Sequence, residues 1–110
     1  LKIGEAAKKC GLSVKTVRYY TDIDLISPAR RENDYRDFDE ATIAKLILVG
    51  RARSLDFSIS ECAEILEIAE ADPAKQRLYG GQIEHLIAKL AARRDDIKEL
   101  QKLLIRSTSV

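Results

Sequence analysis

Tryptophan and methionine are absent from this 110-residue chain, and it carries only two cysteines, two prolines and one histidine. With no tryptophan and aromatics at 5%, an aromatic cage for a large planar ligand is disfavoured. Cys10 and Cys62 lie far apart, and no C-x-x-C pair or mixed Cys/His cluster occurs, which argues against a structural zinc site. In a reducing cytosol neither is expected to form a disulfide. Both read as small buried hydrophobes. Apolar runs are a few residues long, far short of the ~20 needed to span a bilayer. Leu1 leads directly into a charged, helix-like segment rather than a signal peptide. The chain is therefore expected in the cytoplasm, free of the membrane, with its initiator methionine lost or trimmed. No nucleophile–base pair or carboxylate dyad has supporting local context, so no catalytic residue is assigned and the chain is not read as an enzyme.

What is present is apolar material and charge, 45% and 34% of residues. That is enough to bury a core while staying strongly soluble, in one ordinary domain or a small domain with an appendage. The net charge is only +1, yet it is unevenly spread. Residues 1–55 hold eleven Lys or Arg against eight Asp or Glu, a balance of +3, whereas residues 56–110 hold eight against ten, a balance of −2. For a nucleic-acid partner, placement matters more than the total.

Apolar residues at Ile3, Ala6, Ala7 and Cys10 mark one face of a short helix, and Gly11 is a natural stop after it. Ser13 then caps a second helix running to about Thr21, with Val14 and Val17 expected to face inward beside one of Tyr19 and Tyr20. Two short helices joined by a tight turn are the usual device for placing side chains in the DNA major groove. From Ser27 to Asp37 a proline, several charges and Asn33-Asp34 suggest two short extended arms around a turn, a small hairpin or wing. A third helix opens at Asp39 and runs to about Ser54, packed through Ile43, Leu46, Ile47 and Gly50. Ser58-Ile59-Ser60-Glu61 is a capping box, opening a fourth helix that ends near Ala71. Cys62 shares a face of it with Ile59, Leu66 and Ala69. Asp72 to Gly81, with Pro73 and Gly80-Gly81, reads as a connector.

Residues 82–106 contain neither glycine nor proline. Ile83, Leu90, Ile97 and Leu104 recur every seven residues, with Leu86 and Leu100 between them, a heptad seam on a helix of nearly 40 Å at ~1.5 Å per residue. Such a helix has little of its own domain to pack against. A partner helix from a second copy of the chain, giving a homodimer, is the expected solution, with Arg93 interrupting the seam.

In the second helix, Arg18 stands mid-helix with Ser13, Lys15 and Thr16 nearby, a group suited to base edges and phosphates. Tyr19 and Tyr20 point about 100° apart, so one packs inside while the other offers its hydroxyl outward. Spacing alone does not say which. Arg51 and Arg53 are placed either to reach further along a DNA backbone or simply on the surface. His85 reads as a polar surface residue.

Three stretches now carry a resemblance: I-G-E-A-A-K-K-C-G-L-S-V-K-T-V-R-Y-Y at the start, P-A-R-R-E-N-D-Y-R in the hairpin and R-A-R-S-L-D-F-S-I-S-E further on. Together they resemble the MerR family of bacterial transcription regulators, and within it the heavy-metal-responsive branch that includes the copper-efflux regulators. The resemblance implies an all-α fold with a winged helix-turn-helix DNA-binding domain over residues 1–71, a connector over 72–81 and a dimerisation helix over 82–110 that pairs as an antiparallel coiled coil. It implies that Tyr19 faces DNA and that Arg30, Arg31, Tyr35 and Arg36 grip phosphates from the wing. It further implies a mechanism. A dimer on a promoter palindrome bends and untwists double-stranded DNA when its effector binds, realigning elements that bacterial RNA polymerase must engage. The effector-binding loop would begin at Val110, so a copper or other transition-metal ion would take its ligands beyond that residue, with none within 1–110. An organic-ligand or redox-responsive regulator of the same family, or an excisionase-like architectural DNA-binding protein, are the alternatives.

Overall fold

The structure, a computed structural model, describes residues 1–30 and 36–108, and for Arg30 the backbone only. The expected Asn33-Asp34 turn, Arg31 and Tyr35 lie outside the described residues. Two compact units are formed, Leu1–Ala69 and Glu70–Val110.

In the first unit, α1 spans Ile3–Cys10 and buries Ala6 and Ala7. Gly11 ends it in the left-handed region at φ 69°, where a side chain would be strained. The Leu12 N–H then returns to the Ala7 carbonyl at 3.0 Å, closing the turn. Helix α2 follows at Val14–Asp22, and the Ser13 hydroxyl accepts the Thr16 N–H at 3.0 Å. Asp24, at φ 59°, reverses the chain so that the Leu25 and Ile26 N–H groups both reach the Tyr20 carbonyl and Ile26 enters the core. The wing is a two-stranded antiparallel ladder, β1 at Ala29–Arg30 and β2 at Arg36–Asp37, with Ala29 opposite Asp37 and Arg30 opposite Arg36.

Helix α3 spans Glu40–Ser54 behind an Asp39 cap, and α4 spans Ile59–Glu70. The capping box is closed from both sides. Glu61 N–H donates to Ser58 Oγ at 3.0 Å, and Ser58 N–H donates to Glu61 Oε1 at 2.9 Å. Helix α1 packs against both α2 and α3, and the largest fully buried side chains are Phe38, Phe57, Ile26, Leu46 and Val17. Two expectations are corrected. Val14, the first residue of α2, is exposed because the helix turns Val17, Tyr20 and Thr21 to its buried side and Val14 away from it. On α3 the deepest row is Thr42, Leu46, Val49 and Ala52, whereas Ile43, Ile47 and Gly50 are only half-buried.

In the second unit the expected connector is itself helical. Asp72 accepts the Lys75 N–H at 2.8 Å and caps α5, Pro73–Gln76, since proline in a first helical turn has no N–H to waste. A single 3-10 turn at Arg77–Tyr79 feeds directly into α6, Gly80–Thr108. The glycine pair therefore opens the long helix two residues before the expected start rather than interrupting the chain.

Candidate nucleic-acid interface

Residues turn by about 100° along a helix, so Val14, Arg18, Asp22, Lys15 and Tyr19 fall in one exposed arc of α2. Val17, Tyr20 and Thr21 occupy the opposite, buried side. The choice between the tyrosines is settled by this arrangement. Tyr19 is 51% exposed and Tyr20 5%, their rings 5.8 Å apart and tilted by 50°. The cationic ends of Arg18 and Lys15 have no partner among the described residues, so they are available to a ligand without breaking an existing bond. Ser13 and Thr16 are partly committed. Ser13 Oγ accepts the Thr16 N–H and donates to Thr16 Oγ1 at 2.8 Å, which leaves the Thr16 hydroxyl hydrogen uncommitted beside the arc.

The wing and the second helix pair use their arginines differently. The backbone of Arg30 lies on β1. Arg36, expected on phosphate, turns back onto α2. Its guanidinium donates to Thr21 Oγ1 and, at 3.3 Å, to Asp22 Oδ1. The Thr21 hydroxyl in turn donates to the Arg18 carbonyl at 2.8 Å. Arg53 also bonds within the chain, donating from Nη1 to the Phe57 carbonyl at 2.9 Å across the α3–α4 turn, where Asp56 takes φ 69°. Arg51 is exposed. Thr21 and Asp22 were not singled out from the sequence. Their signal was available in hindsight, since both fall at the C-terminal end of α2 where a helix attracts cations.

On α6 the seam residues Leu90, Ile97, Leu100 and Leu104 are exposed, Ile83 is half-buried and Leu86 is buried. Leu86 is thus already largely covered within the single chain. Ile87, Leu103 and Ile105, which the heptad did not pick out, add to the uncovered apolar surface. No helix among the described residues is long and apolar enough to cross a membrane.

A soft metal ion needs thiolate or thioether ligands. Cys10 is half-buried with its Sγ 3.8 Å from the Ile43 carbonyl, and burial pushes its pKa up, favouring the non-ligating thiol. Cys62 is buried and His85 is exposed on α6. No cluster of three or more His, Cys, Asp or Glu side chains occurs among the described residues, which do not fit a transition-metal site.

A cationic, hydroxyl-bearing arc on the second helix of a helix-turn-helix, flanked by a two-stranded wing, defines a winged helix-turn-helix DNA-binding protein. Residues 1–68 match the profile described as MerR HTH family regulatory protein, and residues 43–106 the one described as MerR, DNA binding. The chain belongs to the MerR family of transcription regulators. It is similar to the HTH-type transcriptional regulator HmrR of Rhizobium leguminosarum bv. viciae, with 46% identity over 70 residues, covering 64% of this chain and 54% of that protein. It is also similar to the heavy metal-dependent transcription regulator 2 of Rhizobium meliloti (strain 1021), with 38% identity over 106 residues, 94% of this chain and 71% of that protein. The crystal structure of HiNmlR, a MerR family regulator lacking the sensor domain, bound to promoter DNA, has the same fold, with a TM-score of 0.77 at 20% identity over 96% of this chain and 85% of that one.

Proposed function

We propose that the chain works as a homodimer on double-stranded promoter DNA and controls transcription by distorting that DNA when an effector binds. The observation that carries this reading is the exposed arc of α2, where Arg18 and Lys15 are unpartnered among the described residues and Tyr19 points outward. Arg18 is suited to a base edge, and Ser13, Lys15, Thr16 and Tyr19 to phosphates and neighbouring bases. Arg30, Arg31 and Tyr35 add phosphate contacts from the wing, and Arg53 from α3. Two copies joined through α6 present two such arcs to an inverted repeat. Deforming the intervening DNA costs a few kcal/mol, offset by the protein–phosphate contacts that the bend permits, and it is sensed by bacterial RNA polymerase at the same promoter. A metal ion is the effector class that a relative's name supports, since one is a heavy metal-dependent regulator. Cytoplasmic residence follows from that role.

Fluorescence anisotropy with random-sequence duplexes at graded salt tests the DNA-binding step. Affinity should fall linearly with salt on logarithmic axes, as phosphate neutralisation requires. A flat response, or no binding at low salt, would rule it out.

A further inference from the structure

The one wing arginine whose side chain is described does not wait for DNA. We propose that Arg36 is a positioning residue, a strut that fixes the wing to the recognition helix, and that it contributes to DNA affinity through Thr21 and Asp22 rather than by holding a phosphate. This rests on the reading of α2 as the DNA-facing helix.

Four observations converge on the strut. Arg36 is 27% exposed, and both of its described bonds run to α2. The acceptor Thr21 is 6% exposed, so this leg of the contact is part-buried while the one to Asp22 reaches the surface. Thr21 Oγ1 donates onward to the Arg18 carbonyl, which makes one chain of hydrogen bonds from the β2 strand to the residue that carries the base-reading side chain. Finally, α2 has no basic residue in its own last turn, although that end of a helix favours a cation. Arg36 supplies it from the wing. The same guanidinium also holds the Asp22 carboxylate, 57% exposed on the same helix.

The two roles make opposite demands on the side chain. A phosphate contact needs a positive charge, and lysine provides one. A strut needs a planar fork that reaches Thr21 and Asp22 together, and lysine, a point donor on a flexible stem, does not reproduce it. The test uses anisotropy titrations on one duplex enriched by the wild-type protein from a random pool, across a salt series, with thermal unfolding of each variant. Arg36→Ala and Arg36→Lys should both weaken binding by roughly tenfold, within the range for members of one hydrogen-bond network. The salt slope should stay at the wild-type value, whereas loss of a phosphate contact lowers it by about 1. Thr21→Val, which keeps every charge, should weaken binding too, and Thr21→Val/Arg36→Ala should be no weaker than Arg36→Ala alone. Full affinity for Arg36→Lys, a salt slope lowered by about one in Arg36→Ala, or additive losses in the double variant would overturn the strut. A wild-type chain that enriches no duplex would overturn the reading of α2 itself.

Discussion

Side chains one position apart on α2 have different tasks because a helix turns them to different surroundings. Tyr20 fills the core while Tyr19 stands half in solvent, and nothing in the tyrosine pair itself distinguishes them. The distinction comes from Val17 and Thr21, which share Tyr20's buried side. Asp39 shows a residue whose charge state is set locally. The Thr42 backbone N–H and then the Thr42 hydroxyl bond to its carboxylate, holding its pKa below the ordinary 3.8. A carboxyl whose pKa is lowered on folding stabilises the native state above its unfolded pKa, and that contribution is lost as pH falls through the folded value. Asp39→Asn keeps a capping oxygen without the charge. Wild type should therefore have the higher urea midpoint at neutral pH, and the gap should close well below pH 3.8. A gap that persists in acid would mean the charge is not what the cap uses. Cap and stop residues were legible in the sequence, because Ser13, Gly11, Asp39 and the Ser58–Glu61 box act within three residues of themselves. Arg36 was not, because its partners lie fourteen and fifteen positions away and only the folded hairpin brings them together.

At the scale of elements, local rules located the helices and tertiary packing decided their faces. Helix α3 offers apolar residues nearly all round, so periodicity pointed to Ile43, Ile47 and Gly50 while the deepest row is Thr42, Leu46, Val49 and Ala52. Helix α6 began earlier than its apolar pattern because glycine is tolerated in a first turn. Gly50 gives a direct test of α3. A Cβ built there would lie 3.5 Å from Leu12 Cδ2, ordinary van der Waals contact with a side chain in the turn between α1 and α2. Gly50→Ala should accordingly fold and gain about 0.5–1 kcal/mol from helix propensity, read as a raised urea midpoint with an unchanged slope. A loss of similar size would mean that α3 and the turn approach more closely than this.

At the scale of the whole molecule, the uncovered seam of α6 is a liability for a lone chain. Grouped exposed apolar side chains mark an interaction site, and Leu90, Ile97, Leu100 and Leu104 are exposed at heptad spacing on either side of Arg93. Leu90→Asp with Ile97→Asp would bury unpaired charge in a dimer seam, which is strongly unfavourable. Sedimentation should then show monomers where the wild type shows dimers, and a stable dimer of the double variant at micromolar concentration would place the interface elsewhere. The central claim is that two copies of α2 read duplex DNA through Arg18. Selection from a random duplex library, sequenced side by side for wild type and Arg18→Ala, tests it most directly. The wild type should enrich an inverted repeat with half-sites about one helical turn, or a multiple of it, apart. Arg18→Ala should lose definition at one symmetric position in each half and ~1–3 kcal/mol in affinity for the wild-type sequence. An enriched sequence without two-fold symmetry, or one that Arg18→Ala selects equally well, would contradict it.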